Sequence, residues 1–132
     1  MRTESVSALS PESDALITRI IGCALTVHRE LGPGFLEMIY STALGIELRR
    51  ANIQFEREKP IFVNYRGTPI AGQRVDFVVD DAVLLEIKAV TRIDPVFQAK
   101  VISYLRTTGL RVGLLINFNI PLLKNGIQRI VV

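Results

Sequence analysis

Apolar residues recur at three- and four-residue spacing from Leu16 to Leu31. Leu16, Ile20, Cys23, Val27 and Leu31 form the stripe, and Ile17, Ile21 and Ala24 widen it. That period predicts an amphipathic helix with one broad buried face. Ser10-Pro11-Glu12 supplies its start: a capping hydroxyl, a proline at the first helical position and early acids. Gly32-Pro33-Gly34 cannot continue it, so a second helix is expected from Phe35 to about Arg50. From Ile53 the pattern changes to runs rich in β-branched and aromatic residues: "IQFERE", "IFVNY", "RVDFVV" and "AVLLEIKAV", with "RGTP" as a turn. These runs predict an antiparallel meander.

A third helix is expected after Asp94-Pro95, burying Phe97, Val101, Ile102 and Leu105 and stopping at Gly109. "RVGLLINF" then reads as a buried strand and "IQRIVV" as a last one. The order of helix, helix, strands, helix, strand, strand predicts an α/β sandwich, with a mixed central sheet flanked by helices, not a repeating βαβ array. Residues 1–9 read as a flexible terminus and residues 10–132 as a single domain, with no repeat, low-complexity stretch or linker.

Composition adds limits. Hydrophobic residues are 48% and charged residues 22% of the 132, which excludes general disorder. The polar opening "MRTESVSALSPESD" has no apolar core of the kind a secretory signal needs, and no run is long enough to span a bilayer. An intracellular, cytoplasmic protein without a membrane partner is expected. Cys23 is the single cysteine and falls within the first helical stripe, so it reads as core. The net charge of +3 is unevenly spread: residues 88–132 carry seven basic side chains against Asp94 alone, while the remaining 87 carry nine bases and twelve acids. A basic half facing an acidic half suits an anionic polymer near a cation-binding pole, although solvated charge also explains it.

The chemistry concentrates in "RVDFVVDDAVLLEIKAV", where Asp76, Glu86 and Lys88 interrupt strands that otherwise read as buried. An odd connection at Asp80-Asp81 sets Asp76 opposite Glu86 and Arg74 opposite Lys88, all on one face. Val75, Phe77, Val79, Val83, Leu85, Ile87 and Ala89 then share the other. A two-residue loop would set Asp76 opposite Leu85 and scatter the cluster; the odd loop is the expectation. Two adjacent carboxylates repel unless a proton or cation lies between them, and few oxygen ligands favour Mg²⁺ or Mn²⁺. The bland alternative is an ion-pair cluster in which Arg74 and Lys88 neutralise the acids.

Asp76 followed by Glu86-Ile87-Lys88 resembles the core of the PD-(D/E)xK nuclease superfamily. "VHRELGPGFLEMIY", the segment around "LLEIKAV" and "YLRTTGLRVGLLINFNIPLLKNGIQRIVV" resemble the bacterial GxxExxY family, a branch of it, named here by Gly34, Glu37 and Tyr40. The likeness runs from about residue 14 to the C-terminus. It implies a restriction-endonuclease-like fold and a metal-dependent nuclease acting on nucleic acid, DNA in the first place. It implies Asp76, Glu86 and the Ile87 backbone carbonyl as metal ligands, Lys88 as the residue that orients the water, and Glu37 as an acid reaching the metal directly or through water. Arg74, Arg92, Lys100, Tyr104 and Arg106 are the expected nucleic-acid contacts. So small a domain leaves no room for an elaborate sequence-reading module, so action guided by nucleic-acid structure or by a partner protein is expected, with a homodimer as a further expectation. One position departs from the pattern: Lys100 stands where related sequences carry glutamine four residues before the tyrosine, here Tyr104, and an ammonium only donates. The competing expectation is a non-catalytic nucleic-acid-binding or assembly protein that keeps the fold.

The remaining polar residues have plainer readings. His28 is expected to hydrogen-bond near the "LGPG" turn, Tyr40 to be core, and Asp80 and Asp81 to form a turn. Asn117 and Asn119 should terminate a strand and cap backbone, and Glu56 and Glu58 should be solvated, Glu58 with some claim to face the site.

Overall fold

The computed structural model describes residues 9–132. Helix α1 (Pro11–Leu31) is capped by Ser10, whose side chain accepts from the Ser13 N–H at 3.0 Å, and it stops at Gly32, where φ is 69°. Helix α2 (Glu37–Arg50) has no side-chain cap of its own. Strands β1 (Phe55–Tyr65), β2 (Thr68–Val79) and β3 (Val83–Lys88) form the antiparallel meander. Helix α3 (Pro95–Thr108), capped by Asp94, then carries the chain to β4 (Val112–Asn117), which runs parallel to β3. A short 3₁₀ turn (Leu123–Gly126) leads into β5 (Ile127–Val131), antiparallel to β4. The sheet order β1-β2-β3-β4-β5 is thus mixed, as the run of elements predicts. Residues 1–8 of the expected flexible terminus lie outside the described residues; Leu9 is buried against the core.

Helices cover both faces of the sheet. On one, Ile17, Ile20, Leu44 and Leu48 of α1 and α2 pack on Phe77, Leu85, Ile87 and Leu114. On the other, Val101 and Leu105 of α3 pack on Val78, Leu84 and Leu115. β3 and β4 sit between these layers and are buried on both faces, which is why they read as unbroken apolar runs. Gly113 lets α3 come close: a Cβ there would stand 2.9 Å from Val101 Cγ1.

Two expectations about the strands are corrected. "IQFERE" and "IFVNY" belong to a single strand, since Pro60 at the sheet edge needs no ladder N–H on its outer side. Val75 does not share the layer of Phe77; it packs with Val78 and Leu84 under α3. The cause is a break in the pleat. Arg57 pairs with Phe77 and Lys59 with Val75, but between these pairs Glu58 adopts a left-handed φ of 53° opposite Asp76, and strict alternation ends there.

His28 also departs from expectation. Its Nε2 donates to the Ile120 carbonyl at 2.7 Å, in the loop after β4, while only its own main-chain carbonyl, which accepts from Gly32 N–H at 2.7 Å, serves the glycine turn.

Candidate active site

The β2–β3 register is the odd one. Val79 pairs with Val83, Val78 with Leu84 and Phe77 with Leu85, around a turn in which Asp80 and Asp81 both take left-handed φ of 52°. The ladder stops at Phe77 and Leu85. One step further the carboxylates replace it: Ile87 N–H donates to Asp76 Oδ2 at 2.7 Å, and Asp76 N–H donates to Glu86 Oε1 at 3.1 Å. Each acid therefore reaches across to the other strand's backbone. Asp76 Oδ1 and Glu86 Oε2 make no hydrogen bond among the described residues.

Burial makes this arrangement electrostatically tense. Glu86 is only 8% exposed. Loss of water, then the neighbouring Asp76 charge, push its carboxyl up to about 7. Burial also raises Asp76, opposed by the Ile87 N–H and by the charges of Lys88 and Arg57. Neither Lys88 nor Arg74 forms an ion pair with either acid among the described residues, so the self-neutralising cluster is not what the fold builds. Instead the Lys88 ammonium lies 4.5 Å from the centre of the Phe97 ring on α3, held by the ring's negative face while its charge still acts on both carboxylates.

The strand after Lys88 is held by Asn117. Its Oδ1 accepts from Val90 N–H at 3.0 Å and Asn119 N–H at 3.2 Å, and its Nδ2 donates to the Val90 carbonyl at 2.9 Å. Phe118 N–H adds a bond to the Lys88 carbonyl at 2.9 Å. Asn117 thus ends β4 and caps backbone, as expected of it, and in doing so ties β3's exit to β4.

Helix α2 brings Glu37. Its first turn is positioned by Tyr40, whose buried hydroxyl donates to the Gly32 carbonyl at 2.6 Å and accepts from Phe35 N–H at 3.1 Å, while its ring stacks on Phe118 at 4.7 Å. Burial raises the Glu37 carboxyl, with Lys88 lowering it and Asp76 raising it, so Glu37 belongs to the same electrostatic group. Tyr104 joins from α3: burial raises its hydroxyl, and the Glu86 and Asp76 charges raise it further.

The basic residues expected to meet nucleic acid are dispersed. Arg74 lines the groove that also holds Glu37 and Asp76. Arg92 and Lys100 are exposed, in the loop before α3 and on α3 itself. Arg106 lies beside Phe62, Val63 and Asn64 of β1, away from the carboxylates. Two residues in the groove carried no role in the sequence reading or only a weak one: Arg57, whose charge acts on Asp76, and Glu58, brought opposite Asp76 by its left-handed backbone. Only the strand alternation of "FEREK" hinted at them, and alternation fails at that point.

The donor set suits a small, hard divalent cation. Two oxygens without a hydrogen bond among the described residues, one on the buried Glu86 and one on the half-buried Asp76, are the ligands such an ion takes. Among the described residues no three His, Cys, Asp or Glu side chains form a group that could hold a metal ion. A mixed sheet covered on both faces, with an acid on one strand and Glu-x-Lys on the next where the two part, defines a restriction-endonuclease-like nuclease fold. A family model described as the PD-(D/E)XK nuclease superfamily matches residues 14–130, and the chain belongs to that superfamily. No curated protein and no solved structure matched the chain. Among the described residues no helix is long and apolar enough to cross a membrane.

Proposed function

We propose that residues 10–132 form one catalytic domain, a Mg²⁺- or Mn²⁺-dependent nuclease that hydrolyses phosphodiester bonds, with DNA as substrate. It would act in the cytoplasm and belong to the bacterial branch carrying Gly34, Glu37 and Tyr40. The observation that carries the reading is the Asp76–Glu86 pair, each acid anchored by one backbone N–H and each retaining one oxygen without a hydrogen bond among the described residues. Asp76, Glu86 and the Ile87 carbonyl would hold the ion. When bound, it supplies Lewis-acid polarisation of the phosphate and acidifies a water.

The chain's own groups do the rest. Lys88, steadied on Phe97, donates hydrogen bonds to the attacking water or to a non-bridging phosphate oxygen as charge develops there. Glu37, whose carboxyl is raised from its ordinary value by partial burial, would take a proton from the water. Attack at phosphorus forms one P–O bond and breaks another, and the departing oxygen takes its proton from solvent. Arg74 in the groove and Arg92, Lys100 and Arg106 farther out would hold flanking phosphates, which makes binding salt-dependent.

Cleavage of plasmid and oligonucleotide DNA by the native protein, Asp76→Asn, Glu86→Gln and Lys88→Ala, with Mg²⁺, Mn²⁺ and chelator, tests this. Product from the native chain alone, and only with metal, is expected; equal product from all four would mean contamination. Binding without turnover would instead support the non-catalytic reading, which Lys100 favours by standing where the pattern expects glutamine.

A further inference from the structure

The groove beside the carboxylates has walls of unlike chemistry. It encloses about 460 Å³ between Leu36 and Met38 at the start of α2 and Arg57 and Arg74 on β1 and β2. Leu36 is 77% and Met38 58% exposed, and Phe35 beside them is 47% exposed, its ring edge-on to Tyr40 at 6.1 Å. Leu36 and Met38 line the groove on either side of Glu37 as an apolar lip, with Ile39 exposed beside them. A patch of this kind next to reactive groups is a contact surface.

The charged wall adjoins the lip at Met38 and carries two guanidinium groups without an ion pair among the described residues. Arg57 Nε donates to Ser41 Oγ at 3.3 Å, and its Nη2 donates to Thr42 Oγ1 at 3.1 Å and Met38 Sδ at 3.3 Å. All three acceptors are neutral. Neither Arg57 nor Arg74 forms an ion pair among the described residues; Arg57 lies 5.9 Å from the centre of the Phe77 ring and its charge acts on Asp76, while Arg74 is exposed. Glu37, Glu58 and Asp76 share the groove, so a phosphate can enter only when a divalent cation offsets them.

A strand of nucleic acid matches both walls, phosphates against the arginines and base faces against the lip. In a duplex those faces are stacked out of reach; in a single strand they are free. We propose, on the footing of the nuclease reading above, that this groove holds a single-stranded segment, with phosphates on Arg57 and Arg74 and bases on Leu36 and Met38, so that the substrate is a strand unpaired beside the scissile bond.

Fluorescence anisotropy with the Lys88→Ala protein in Mg²⁺ tests this on three probes: a single strand, its duplex, and an abasic strand of equal length. The single strand should bind about tenfold more tightly than the other two. Adding Leu36→Ser and Met38→Ser should abolish the difference between the single strand and the abasic strand. Both side chains are exposed, and a thermal midpoint equal to the parent's shows that the fold is kept. Arg57→Gln should weaken all three probes and reduce the slope of log affinity against log salt by about one, with partial recovery in Arg57→Lys. Equal affinity for base-bearing and abasic strands, or a preference that survives loss of Leu36 and Met38, overturns the proposal. A preference that persists while the native protein cuts no probe overturns the nuclease reading and supports the groove assignment.

Discussion

The Tyr40 hydroxyl donates to the Gly32 carbonyl at 2.6 Å, closing the loop between the first two helices onto the first turn of α2. The same oxygen accepts the Phe35 N–H, so one phenol spans a segment whose glycines at 32 and 34 have φ of 69° and 108° and little stiffness of their own. Glu37 lies in the helical turn between these contacts. The three spaced residues Gly34, Glu37 and Tyr40 therefore act as turn, acid and pin.

Tyr40→Phe keeps the stack on Phe118 and removes both bonds. Stability should fall by about 1–3 kcal/mol in urea titration. Displacement of Glu37 should lower kcat by roughly ten- to a hundredfold with KM little changed. An unchanged kcat in the folded variant would detach Glu37 from the chemistry.

Glu86 sets a pH dependence of the metal-free protein. Its folded carboxyl titrates at about 7, above the ordinary 4.5, so the folded state holds a proton that the unfolded chain has released. The resulting stabilisation is complete below about pH 4.5 and is lost as pH rises through 7. The shift corresponds to about 3 kcal/mol. Denaturation midpoints in chelator between pH 5 and 8 should fall more for the native protein than for Glu86→Gln. Mg²⁺ should offset the loss above pH 7, because the ion replaces the proton. A native curve parallel to that of Glu86→Gln would contradict this.

Phe97→Leu removes the ring face under Lys88 while keeping an apolar side chain. The lost attraction is about 0.5–1 kcal/mol, and a wandering ammonium should lower kcat several-fold with the metal affinity seen by calorimetry unchanged. Loss of metal binding instead would show that Phe97 supports the carboxylates.

Asn117→Ala should strand the Val90 N–H and carbonyl and cost about 2–4 kcal/mol by thermal or urea unfolding. Asn117→Asp keeps the acceptor and loses the donor to Val90, so its stability should fall between the two. Equal stability in all three would mean that water replaces the clamp.

Much of this was legible in the residue pattern. The three-and-four spacing in α1, the stops at Gly32-Pro33-Gly34 and Gly109, and the odd connection at Asp80-Asp81 are local: each depends on what a segment buries or which backbone angles it tolerates. Because cross-strand parity follows from loop length, the expected odd connection already set Asp76 beside Glu86, and the Val79–Val83 pairing decided against the two-residue alternative. The tertiary structure decided the rest, since those contacts join residues on different elements. Lys88 settles on Phe97 instead of pairing with an acid, His28 finds Ile120, and Arg57 leans across to Ser41 and Thr42. Glu58 breaks the alternation that would have placed Val75 beside Phe77. Periodicity states that a side chain is to be covered; only the packing of the layers determines by what.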